Sequence, residues 1–209
     1  MSGLTEKDKA YWIEKEREIV PTLVDLAGYG FVTDHDCYRL GWTDDPRVLV
    51  RAGVAEALVQ ARGALPAGHN FRVVDGWRPW EIQELCAREA RGKIVAAHPD
   101  WTDEQVARQL AVMAPPLRVV PRLGSHRYGG AVDLTLIGPD GKDLDMGVPL
   151  NHVTGPEASL LWYEFRPDLG PRDVQARDNR RVLLRAMESA LFIPHLAEYW
   201  HWNYNQDML

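Results

Sequence analysis

Apolar residues recur at helical spacing in five stretches of this chain. Between residues 5 and 27 the run is Tyr11, Trp12, Ile19, Leu23 and Leu26, with Thr5 placed to cap its start and Gly28 and Gly30 to stop it. Residues 46–62 carry Val50, Val54, Ala57, Leu58 and Ala61 on one face, with Pro46 near the start and Gly63 beyond the end. Residues 80–97, 103–113 and 174–191 complete the predicted helices. Two segments break to the period of a strand: Phe71-Arg72-Val73-Val74-Asp75 and the alternating run from Ala131 to Ile137. After the second, Pro139-Asp140-Gly141-Lys142 reads as a turn into another arm, Leu144 to Leu150, which predicts a hairpin. Gly76-Trp77-Arg78-Pro79 and His98-Pro99-Asp100-Trp101-Thr102 turn the chain. Pro115, Pro116 and Pro121 punctuate the approach to residue 124, and an aromatic segment follows Pro194. No repeat or linker divides the chain. Helices before and after a small sheet predict an α+β fold: one compact domain over 1–209, with a mainly antiparallel central sheet flanked by helices.

Composition narrows the partners. A length of 209 residues fits one core, and 45% apolar with 26% charged residues is ordinary for a globular protein. A net charge of -6 with no basic stripe argues against a nucleic-acid partner. No uncharged apolar run approaches the length of a membrane span, and the N-terminus has no apolar leader core, so a cytoplasmic protein is expected. The two cysteines, Cys37 and Cys86, are too few for a disulfide framework and by themselves do not build a thiolate zinc site; they read as small buried apolar residues.

Three motifs carry candidate chemistry. Gly124-Ser125-His126-Arg127-Tyr128-Gly129-Gly130-Ala131-Val132-Asp133 sets an imidazole and a carboxylate seven residues apart, with glycines that let the backbone bend both toward one point. The competing reading is an incidental histidine in a surface loop. Glu198-Tyr199-Trp200-His201 offers a second imidazole and an acid three residues before it. In a flat strand those two side chains would point to opposite faces, so an extended segment has to twist, bulge or end between them; the competing reading is an aromatic core strand. Asp75-Gly76-Trp77-Arg78-Pro79 places a guanidinium just after a strand, able to stabilise an oxyanion or simply to pair with Asp75 or Glu81. Taken together, His126, Asp133 and His201 would leave a zinc ion one open position for water, with Glu198 as the candidate base.

The His-x-x-Gly-x-Ala-x-Asp run at 126–133, the Glu-x-Trp-His run at 198–201 and the Asp-Gly-x-Arg-Pro run at 75–79 resemble the D-alanyl-D-alanine dipeptidases of the VanX type. Their order and spacing match over nearly the whole chain. The resemblance implies one Zn2+ per chain on His126, Asp133 and His201. It implies Glu198 as general base, Arg78 as transition-state stabiliser, and a small dipeptide substrate. It departs at two positions. Gly124 stands where the family has a serine that holds the substrate carboxylate, although Ser125 follows, and Asn151 stands where it has an aspartate for the substrate ammonium. Ser125, Asn151 and Tyr199 are the candidate substrate contacts. The departures open the alternative of a zinc amide hydrolase acting on an amine-blocked or larger substrate. A non-catalytic zinc-stabilised binding module is the alternative of another class. Of the remaining histidines, His35 in Asp34-His35-Asp36 reads as a polar loop, His152 as a pocket candidate and His195 as a neighbour of Glu198.

Overall fold

Among the described residues, the β-branched and aromatic runs build seven strands: β1 (Leu23–Asp25), β2 (Val32–Thr33), β3 (Leu49–Arg51), β4 (Asn70–Asp75), β5 (Ala131–Ile137), β6 (Phe192–His195) and β7 (Glu198–Tyr204). A computed structural model describes residues 6–113 and 124–204; the expected cap at Thr5 and the prolines at 115, 116 and 121 lie outside the described residues. The central sheet has the order β2-β4-β5-β7-β6. Every neighbouring pair in it is antiparallel except β2 with β4. β1 and β3 form a separate antiparallel pair. The helices are α1 (Glu6–Ile19), α2 (Asp36–Arg39), α3 (Ala52–Gly63), α4 (Trp80–Ala97), α5 (Asp103–Met113) and α6 (Pro171–Ser189).

The sheet is central because β5 is buried along its full length, both faces covered. One apolar cluster joins Phe71 and Val73 of β4, Leu134 and Leu136 of β5 and Trp200 and Trp202 of β7 to Leu58 of α3 and Leu183 and Met187 of α6. Each such side chain fully withdrawn from water contributes about 1.5–3 kcal/mol. The described residues thus form a single α+β domain, and none of their helices is long and apolar enough to cross a membrane.

Three element expectations need correction. The helix predicted for 5–27 stops at Ile19, because Pro21 opens a short 3-10 turn and Leu23 then enters β1. The helix predicted for 46–62 begins at Ala52: the preceding Leu49-Val50-Arg51 pairs with β1 instead. The hairpin's second arm is no strand. It makes one bridge, Ile137 with Asp143, and a hydrogen bond from the Leu144 amide to Leu136 O, and then leaves the sheet.

Candidate active site

Register puts the motif residues abreast. A bulge between Val73 and Asp75 sets Asp75 opposite Asp133, and Asp133 in turn lies opposite His201. Three adjacent strands thus each deliver one polar side chain to the same row: Asp75 at the end of β4, Asp133 near the start of β5 and His201 in the middle of β7. His126 joins them from a 3-10 turn, His126–Tyr128, that ends at Gly129 in the left-handed region, φ 63°. A Cβ at Gly129 would sit 2.7 Å from Leu23 Cδ2, so conformation and space both demand glycine there.

The two motif loops hold each other. His126 Nδ1 donates to Gly76 O at 2.6 Å, and the Arg78 amide donates to His126 O at 3.0 Å. With Nδ1 donating, Nε2 carries the lone pair and faces inward. It lies 3.1 Å from His201 Nδ1 and 3.3 Å from Asp133 Oδ2, while His201 Nδ1 is 3.1 Å from Asp133 Oδ1. Donors around a tetrahedral zinc sit roughly 3.3–3.8 Å apart, given bonds of about 2.0–2.3 Å. Two imidazoles and a carboxylate converging at this spacing, with ring tautomer fixed from behind, fit a catalytic zinc centre that keeps a position open.

Arg78 is buried beside them. Its Nε is ion-paired with Asp75 Oδ2 at 2.9 Å, and its terminal nitrogens reach Asp133 Oδ2 at 2.7 Å and Gln83 Oε1 at 3.1 Å. The sequence left pairing with Asp75 as the competing reading; the structure gives that pairing and adds Asp133. The guanidinium therefore bridges two buried carboxylates.

Burial would push the Asp133 carboxyl up, but the facing His126 and His201 outweigh it and hold it well below the ordinary range. Burial and then Arg78 push His126 down, which keeps it neutral and able to ligate. For His201, burial works downward, but Asp133 and Glu198 prevail and raise it. Glu198 opens β7 and is buried; burial, opposed by His201, pushes its carboxyl up to about 8. His195 Nδ1 stands 3.9 Å from Glu198 Oε2, and its ring centroid lies 5.6 Å from that of His201. Burial and His201 push the His195 imidazole down to about 4. The register shift between Pro194 and His195 supplies the irregularity that the i, i+3 spacing of Glu198 and His201 required.

The expected substrate contacts separate. Ser125 is half-buried at the start of the His126 turn, and its carbonyl accepts from the Tyr128 and Gly130 amides. Asn151 takes a left-handed φ of 59°, and its amide donates to Asp36 Oδ2 at 2.5 Å. Burial raises the Asp36 carboxyl against the ion pair with Arg39, which lowers it, and the charges of Asp75 and Asp133 add to the rise. Tyr199 sits in the core: its hydroxyl donates to Val148 O at 3.1 Å and its ring lies under Arg180. His152 pairs with Glu157 at 4.0 Å. Sequence reasoning missed Gln83 and Asp36. The i, i+5 step from Arg78 along the start of α4 was a readable signal for Gln83; no sequence signal tied Asp36 to Asn151, 115 residues away.

A family model described as D-ala-D-ala dipeptidase, of the peptidase M15 family, matches residues 39–209. The chain is also 26% identical over 208 residues to a D-alanyl-D-alanine dipeptidase of Synechocystis sp., a match that covers 88% of this chain and 84% of that protein. With the motif residues gathered as described, the chain belongs to the D-Ala-D-Ala dipeptidase family of M15 peptidases.

Proposed function

We propose that this chain is a zinc dipeptidase that hydrolyses a D-Ala-D-Ala-like dipeptide, with one zinc on His126, Asp133 and His201. The observation that carries it is the convergence of His126 Nε2, His201 Nδ1 and the Asp133 carboxylate, whose donor atoms all lie within 4.8 Å of one another. Zinc held there supplies a Lewis acid that acidifies water and polarises a carbonyl. Glu198 takes the proton of the attacking water and hands it to the leaving amine. Arg78 has N–H groups beyond those engaged by Asp75, Asp133 and Gln83, and these stabilise the oxyanion. A buried base in this position argues against a purely structural zinc module, which has no use for one.

Asn151 is neutral, but the carboxylate of Asp36 is bound to it. Asp36, whose other oxygen is ion-paired with the exposed Arg39, is the anion held at Asn151 and the candidate acceptor for a free substrate ammonium, which favours a free dipeptide over an N-acylated one. Zinc content and hydrolysis of D-Ala-D-Ala test the reading together. His201→Ala is expected to lose both, and Glu198→Gln to keep zinc and lose turnover. A metal-free wild-type chain with no activity on any dipeptide would overturn it.

A further inference from the structure

A second set of donors lies on the other side of Asp75. His35 Nε2 is 3.9 Å from Asp75 Oδ1, and Cys37 Sγ is 3.4 Å from Asp75 Oδ2. These three donor atoms all fall within 4.8 Å of one another. The thiol of Cys86, on α4, interacts with the Cys37 thiol and, although outside the group that shares this spacing, is the candidate fourth donor. Cys37 and Asp75 are buried, and the side chains of His35 and Asp75 are only 8% and 6% exposed. A cleft lined by His35, Cys37, Asp45, Arg47 and Trp77 gives access.

The orientation of His35 is the second observation. Its Nδ1 lies 3.0 Å from Asp45 O, so Nδ1–H donates there and the Nε2 lone pair faces Asp75. His126 is held by Gly76 O in the same manner. In the neutral ring this leaves Nε2 free to share a cation with Asp75; protonated, the same ring is an ion pair with it. From these contacts we infer that His35, Cys37, Asp75 and Cys86 form a second metal site, for a thiophilic divalent cation of the zinc class.

Charge sets the selectivity. Arg78, ion-paired with both Asp75 and Asp133, already offsets part of the Asp75 charge. When the ion binds, the Cys37 and Cys86 thiols release their protons to water, and two thiolates balance the dication. An ion that does not draw thiolates, such as Mg2+ or Ca2+, would face the Arg78 guanidinium without that compensation. The two cysteines that alone could not make a zinc site do so with a histidine and an aspartate brought in by the fold. None of these four residues is a ligand of the His126–Asp133–His201 centre, so either site can fail without the other.

Cobalt(II) tests the inference. The reduced, metal-free chain is titrated with cobalt, and sulfur-to-cobalt charge-transfer absorption is followed in the near ultraviolet. The His126–Asp133–His201 centre has no sulfur donor, so that band reports the second site alone. We expect the wild-type chain to take up a second cobalt with the band present. Cys37→Ser should lose the band and the second ion while keeping the first, and His201→Ala should do the reverse. Uptake limited to one ion with no charge-transfer band, read on the wild-type chain without any variant, overturns the site; so does a band unchanged in Cys37→Ser.

Discussion

Glu198 carries a cost that the proposed role as general base explains. Its carboxyl, ordinarily near 4.5, is pushed up to about 8 by burial. In the metal-free chain the folded state therefore holds a proton that the unfolded state has released. Stability falls as pH rises from about 4.5 to 8, and the full penalty stands above that window. Glu198→Gln removes the penalty. Metal-free Glu198→Gln should melt higher than metal-free wild type at alkaline pH, and the two should converge at about pH 4. A dication beside the carboxylate favours its ionised form, so the zinc-loaded wild type should lack most of that pH dependence. The same variant should lose about 10²–10⁴ in kcat with zinc retained, the ordinary worth of a positioned base. A second residue-scale expectation concerns Asp36. If it pairs with the substrate ammonium, Asp36→Asn lowers kcat/KM for the free dipeptide about ten- to hundredfold, matching the 1.5–3 kcal/mol of a hydrogen bond to a charged group. The N-acetylated dipeptide should be indifferent. Equal losses on both substrates would remove Asp36 from the ammonium subsite.

At the scale of elements, turns decide the site. Gly129 lets β5 start directly behind His126, and both its φ of 63° and the contact with Leu23 exclude a side chain. Gly129→Ala should cost about 1–3 kcal/mol in a urea melt and weaken zinc binding with it. Gly92 is the internal control: it lies within α4 with open space where a Cβ would be, so Gly92→Ala should stabilise by about 0.4–1 kcal/mol. The elements that the sequence announced clearly were those with long periodicity and punctuated ends, namely α4, α5 and β5. The short strands β1, β2 and β3 were illegible, since three residues or fewer carry no period. The site divides the same way. His126, Asp133 and His201 could be read from residue type and spacing. The bulge that sets Asp75 across from Asp133, and the meeting of Asp75 with His35 and Cys37, depend on pairing between distant segments.

For the whole molecule, the buried charges and the implied metal act as ties between distant parts of the chain. Arg78 joins Asp75 on β4 to Asp133 on β5, and Arg78→Ala would leave two buried carboxylates without their cation. Breaking such a pair costs about 3–5 kcal/mol, so Arg78→Ala should unfold at clearly lower urea than wild type even without metal. Zinc acts differently. His126 and His201 stand 75 residues apart in sequence, yet hydrogen bonds already connect them to each other and to Asp133, Gly76 and Asn203. The apolar core does not reach through the metal centre. Chelation should therefore leave a folded chain with cooperative unfolding, lowered only by the linkage to the ion. At free zinc a thousandfold above Kd that linkage is about 4 kcal/mol. Thermal melts with and without chelator should show the shift in wild type. In His201→Ala, removal of zinc should leave only the smaller shift that comes from the His35–Cys37–Asp75–Cys86 site, and none once Cys37→Ser is added. A wild-type chain that unfolds outright on chelation would mean that the metal specifies the fold, which the metal-independent hydrogen bonds among its ligands argue against.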